Sequence, residues 1–263
     1  MIQSIFSKLS VLLFLLTLFY CVSCNEQKDR KEVTEEELPT NHLDLNIYAK
    51  NHIESELSIP VNEKYTLSIH KENLDGDDKI DAIILVNRYE YALEEAARSV
   101  NPAKQAELGF MGNYNYFFYF DGALNLISPP LAIPSSPMLP LKVSFENISS
   151  ASYKDVLIDF RIRNASYKDF YTVLKHTPRR IFQWKNFDSL GTADATCFLF
   201  NFETGSYSEA KDIVISKGRL GAIPKKADLF IYEPTIQNKK KKENLFRFFY
   251  LPQKEKYVTF KKR

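Results

Sequence analysis

The sequence runs to 263 residues and sets 35 Lys and Arg against 33 Asp and Glu, for a formal net charge of +2. That balance excludes a strongly basic nucleic-acid binder and a charge-rich disordered chain, and 44% apolar residues suffice for a buried core. Only three cysteines are present, Cys21, Cys24 and Cys197, which excludes a disulfide-stapled scaffold.

Lys8 is the one basic residue of the first segment, and an apolar stretch follows from Leu9 to Val22, interrupted by Ser10 and Thr17. A membrane-crossing helix needs roughly 20 apolar residues, so this stretch is short for a permanent span and has the layout of a cleaved export signal. Cys21-Val22-Ser23-Cys24 resembles the lipobox of bacterial lipoproteins, where a small residue precedes the modified cysteine; Cys21 stands where Leu is usual. The resemblance implies a signal peptide over residues 1–23, a lipid thioether on Cys24 and acylation of the new amino terminus, giving stable membrane anchoring. Asn25 is not the Asp that favours inner-membrane retention in enteric lipoproteins, so the resemblance points to the outer membrane. Residues 24–40 are polar and charged with almost no large apolar groups, the composition of a flexible tether.

The remainder, residues 41–263, is long enough for one large domain. Residues 41–58 place Leu45, Tyr48, His52 and Ile53 at mixed helical spacing, a short helix ended by Pro60. Tyr65, Leu67 and Ile69 alternate with Thr66, Ser68 and His70, a half-buried strand. Beyond it an irregular β-hairpin repeat is expected. Each unit opens with an Asp before an apolar strand (Asp81, Asp155, Asp212) and closes with an aromatic hairpin. The hairpins run from Tyr114 to Phe120 and turn at Asp121-Gly122; from Phe170 to Leu174, turning near Pro178; and from Leu245 to Tyr250, turning near Pro252. Both faces of Tyr114–Phe120 are aromatic, which predicts a strand covered on both sides. Tyr89–Val100 reads as a helical insertion with Tyr89, Leu93, Ala96, Ala97 and Val100 on one face. The proline-dense segment 128–140 is an extended connector and the best internal boundary. The fold class is therefore mainly β with a helical insertion, either propeller-like or a twisted sheet or sandwich. Cys197 lies in an apolar run and reads as a buried small hydrophobe.

One loop carries chemistry. Asn73, Asp75, Asp77, Lys79 and Asp81 set oxygen donors at alternate positions, the lysine through its carbonyl, with Gly76 free to curl the chain. A helix-loop-helix calcium site is excluded, because Ile84 stands where its bidentate Glu belongs and a strand follows. Residues 73–87 resemble the Asp-rich loops of FG-GAP and VCBS-type repeats, departing at Asn73, where Asp is usual, and at Asp78, where Gly is usual. The resemblance implies a structural Ca2+ held by those five residues. The competing reading is a solvated Asx turn in which Asp81 caps local backbone groups. The other two units keep only the final Asp and are expected to bind no metal.

The four histidines have no metal-ligand spacing, and neither a phosphate loop nor a Gly-x-Ser-x-Gly elbow occurs. The basic clusters Lys239–Lys242 and Lys261–Arg263 read as solvated, and no nucleic-acid partner is expected. Three functions compete. The first is a lipid-anchored envelope binding or accessory module with a polysaccharide or protein partner. The second is an envelope hydrolase whose carboxylates meet only in three dimensions. The third is a purely structural envelope lipoprotein.

Overall fold

A computed structural model describes residues 44–107, 111–239 and 244–259. Cys24, the signal peptide, the tether, Lys240–Lys242 and Lys261–Arg263 lie outside the described residues. Among the described residues no helix is long and apolar enough to cross a membrane.

The mainly β expectation holds, and its hairpin repeat takes a definite form. The first unit is a sheet of β1 (Thr66–Glu72), β2 (Asp81–Asn87), β3 (Asn115–Asp121) and β4 (Leu126–Ile127), each antiparallel to the last, with β5 (Leu131–Ala132) also on β3. The second is β6 (Lys142–Glu146), β7 (Asp155–Ile162), β8 (Ala165–Leu174) and β9 (Thr177–Asp188). The third is β10 (Thr196–Glu203), β11 (Asp212–Lys217), β14 (Asn244–Leu251) and β15 (Lys256–Val258), with a small ribbon of β12 (Arg219–Leu220) and β13 (Ile236–Gln237) inserted between β11 and β14.

The first and second units pack face to face. Ile83, Leu85, Phe117 and Tyr119 of one meet Val156, Ile158, Tyr171 and Val173 of the other in one buried cluster. The second and third do not stack as separate layers. β9 pairs with β10, so they form one eight-stranded sheet. This sheet curls until Phe182 on β9 reaches Phe248 on β14 and Tyr257 on β15, with ring centroids 4.8 and 6.0 Å apart. Of the expected arrangements, the twisted sheet or sandwich is the one observed; among the described residues no sheet closes into a barrel.

α1 (Leu45–Glu56) begins at Asp44, whose side chain accepts the Asn46 amide, and presses Ala49 and Ile53 onto the outer face of the first sheet beside Ile84, Val86 and Phe118. β3 is thus covered on both sides, as its aromatic pattern predicts: Phe117 and Tyr119 point inward and Phe118 toward α1. α2 (Tyr89–Arg98) and α3 (Pro102–Glu107) form the insertion between β2 and β3. The expected stripe on α2 is corrected, since Ala92 and Ala96 are buried whereas Val100 is fully exposed. Small side chains let this short helix sit close without a large apolar face. Segment 128–140 is stitched down: Asn115 donates to Ser135 Oγ and to the carbonyls of Ser136 and Leu139, and Asn87 donates to the carbonyl of Pro137. Cys197 is buried as expected, and burial raises its thiol pKa.

Candidate functional site

The three Asp-opened strands share one construction. Glu72 pairs with Asp81, Glu146 with Asp155 and Glu203 with Asp212, so the three preceding loops have the same length. In each, the strand-opening Asp turns back to hold its own loop. Asp155 accepts the amides of Ile148 and Ser149 and the Ser149 hydroxyl. Asp212 accepts the Ser206 amide and hydroxyl, and Arg247 as well. Asp81 accepts the Leu74 amide at 3.0 Å and, from the neighbouring hairpin, the Gly122 amide at 2.9 Å. Gly122 is required there by close approach, because a Cβ would stand 2.2 Å from the Ile80 carbonyl oxygen. The expected tight turn at Asp121-Gly122 is corrected accordingly: the loop spans residues 122–125, with Asn125 taking the left-handed conformation.

The loop itself is a chain of Asx turns. Asn73 Oδ1 accepts the Gly76 amide, Asp75 Oδ1 the Asp77 amide and Asp77 Oδ1 the Lys79 amide, while Asn73 Nδ2 donates to the Asp77 carbonyl. Gly76 supplies the curl at φ +84°. Asp75, Asp77 and Asp81 do not form a group of three mutually close carboxylates. The second oxygen of Asp75 instead leaves the loop toward Asp121, at the end of β3, and His176, in the two-residue turn between β8 and β9.

His176 Nδ1 donates to Asp121 Oδ2 at 2.6 Å and lies 3.8 Å from Asp75 Oδ2. One donor atom from each of the three residues falls within 4.8 Å of the others. The Tyr119 hydroxyl donates to Asp75 at 3.3 Å; burial and the charges of Asp81, Asp75 and Asp121 push its pKa up, so it stays a donor. Both carboxylates are nearly inaccessible, 9% for Asp75 and 4% for Asp121, and among the described residues His176 is the only basic side chain within ion-pair distance of either. Asp81 stands behind them, its carboxyl pKa raised by burial and by Asp75. Negative charge is concentrated here against a single imidazole, the electrostatic signature of a site for a cation or a hydrogen-bond donor.

Beside this cluster opens a cavity of about 420 Å3. Its walls are Leu124, Leu126, Ile127, Pro130 and Leu131, and its polar end is Tyr119, Asp121 and His176. The sequence-predicted residues are thus split: Asp75 enters the site, Asp81 supports it from behind, and Asn73, Asp77 and Lys79 serve the turn. Asp75, Asp121 and His176 come from three separate hairpins, with Tyr119 two residues before Asp121 on β3, so no local spacing could have joined them. Among known proteins nothing matches: no family, no curated protein and no solved structure is similar to this chain.

Proposed function

We propose that this protein is an exported, lipid-anchored binding module of the cell envelope, held through Cys24 at the outer membrane and receiving a small ligand in the cavity beside His176. The observation that carries the ligand part is the union of an apolar cavity, of a size common to ligand pockets, with one polar end rich in buried carboxylate. Its ligand has an apolar body and a cationic or hydrogen-bond-donating end. Leu124 and Leu126, both about half exposed, offer the apolar body a surface to cover. The hydrolase alternative is supported less. Asp81, the acid of this cluster whose titration is shifted, is fully buried with both oxygens on backbone amides, and an acid that cannot meet a substrate cannot protonate it.

Titration of the protein with long-chain alkylammonium ions, compared with alkyl sulfates of the same chain length, tests this reading. Saturable binding of the cation, weakened at least tenfold by Leu126→Asn, is expected; equal binding of both probes, or binding indifferent to Leu126→Asn, refutes it. The address is tested separately by Cys24→Ala, which should abolish incorporation of labelled palmitate.

A second reading rests on the close grouping of Asp75, Asp121 and His176, which would hold a divalent cation and tie three hairpins together. The ion would neutralise two carboxylates that have no Lys or Arg at ion-pair distance among the described residues. The resemblance to FG-GAP loops implies Ca2+, whereas an imidazole among the donors suits a softer ion such as Zn2+ or Mn2+.

A further inference from the structure

At the opposite end of the β8–β9 ladder from His176, the guanidinium of Arg161 on β7 is buried without a contact ion pair among the described residues. The residue is 5% exposed, Nη1 donates to the Tyr232 carbonyl at 3.0 Å and Nη2 to the Leu229 carbonyl at 2.5 Å, and the group lies 4.6 Å from the Phe187 ring centroid. Nε has no hydrogen-bond partner, and among the described residues no carboxylate stands within ion-pair distance of Arg161. Buried cations are ordinarily paired, and one that is not carries a desolvation cost. Burial lowers the Arg161 pKa, and the charges of Glu233 and Asp228, beyond ion-pair distance, offset this only in part.

Arg161 lines a cavity of about 230 Å3 together with Lys142, Asp159, Ser166, Asn186 and Glu233. The two acids are already neutralised: Glu233 by Lys142, and Asp159 by Lys168 at 2.7 Å with Asn186 on its other oxygen. Lys142 and Lys168 each hold one of these acids at ion-pair distance, which leaves Arg161, the buried cation, without a contact ion pair. A carboxylate brought into the cavity would supply one. The Ser166 hydroxyl, already accepting from Asn186, keeps its own proton to give, and the oxygens of Asp159 and Glu233 offer acceptors for hydroxyl groups. We propose that this cavity binds a small hydroxylated carboxylate of the sugar-acid type, its carboxylate toward Arg161 and its hydroxyls toward the polar walls.

The test is calorimetric titration of the full chain in detergent with glucuronate, against glucose at equal concentration and sodium chloride at equal ionic strength. Saturable binding of glucuronate alone is expected, with at least a tenfold loss in Arg161→Gln. Because Arg161 also holds the loop carbonyls, that variant could fail to fold. Lys142→Glu keeps Arg161 and changes a side chain that is 57% exposed, so it should fold and still weaken glucuronate at least tenfold. Arg247→Gln, in the third unit and away from this cavity, should bind as the parent does. Equal response to glucose, no saturable binding, or affinity unchanged by Lys142→Glu would each overturn the proposal and leave Arg161 as a clamp for the 229–232 carbonyls.

Discussion

The loop before Asp81 and its counterparts before Asp155 and Asp212 have the same length, the same strand pairing and the same anchoring acid, yet the third loop position sets the first apart. The second and third loops carry Ser149 and Ser206 there, and each hydroxyl donates to the anchoring carboxylate. The first loop carries Asp75, which has no proton to give. Where the others bring a hydroxyl to their acid, this one places a second carboxylate beside it, and Asp75 raises the Asp81 pKa. The difference teaches that the anchor is architecture common to all three units, whereas the concentrated charge belongs to the first alone. It faces a histidine and a cavity that the other loops do not share.

The largest effect that would break this comparison lies in a purely structural anchor. Asp155→Ala removes the acceptor of the Ile148 and Ser149 amides and of the Ser149 hydroxyl, and should cost about 3 kcal/mol in urea unfolding. A cost under about 1 kcal/mol would mean that the anchoring acid is incidental and that the three loops are alike only in length. Next comes the cation. At a hundred times its dissociation constant, an ion held by the folded state alone adds about 2.7 kcal/mol. Thermal unfolding in Ca2+, Mn2+, Zn2+ and chelator should show such a rise for one of these ions. His176→Ala should abolish a Zn2+ or Mn2+ effect. A Ca2+ effect that survives His176→Ala but not Asp77→Ala would place the ion in the Asx-turn loop instead. No shift with any ion refutes both.

Much of the β scaffold was legible because it is written locally. The strand-opening aspartates, the aromatic strands and the positions of α1 and α2 follow from spacing and composition within short windows. Even so, α2 buries Ala92 and Ala96 where a larger stripe was expected, since packing distance, not hydrophobic size, decides what fits under a short helix. The curl of the eight-stranded sheet was not legible, because it depends on rings of β9, β14 and β15 meeting far from one another in sequence. The same holds for the site. Asp75 was singled out by its neighbours in the loop, but its working partners Tyr119, Asp121 and His176 lie on other hairpins. Arg161 gave no signal at all: one arginine in a strand becomes notable only when it proves buried with no acid at ion-pair distance among the described residues.

A finer test sharpens the comparison by turning the first loop into one of its sisters. In Asp75→Ser a hydroxyl can donate to Asp81 as Ser149 does to Asp155, and one uncompensated charge is removed. Without metal, stability should rise by about 1 kcal/mol, the worth of one hydrogen bond, while any cation-dependent increment disappears. A loss of stability would show that Asp75 is better satisfied by Tyr119 and His176 than a serine is by Asp81, and that the first loop is no departure from its sisters.

The smallest expected effect concerns pH. Burial raises the Asp155 carboxyl pKa above the ordinary value despite the hydrogen bonds that pull it down, and it does the same at Asp81. Between the ordinary value and the raised one, the folded chain holds protons that the unfolded chain has released. Stability from these groups therefore falls as pH rises through that window and is flat above the folded pKa. Urea unfolding from pH 4 to 7 should show this fall, reduced in Asp155→Asn, which cannot titrate. Equal slopes in parent and variant would mean that the amides of Ile148 and Ser149 outweigh desolvation at Asp155. The strand-opening acid would then be fully ionised throughout the window, and the second loop would owe its stability to the charge of its anchor as well as to its shape.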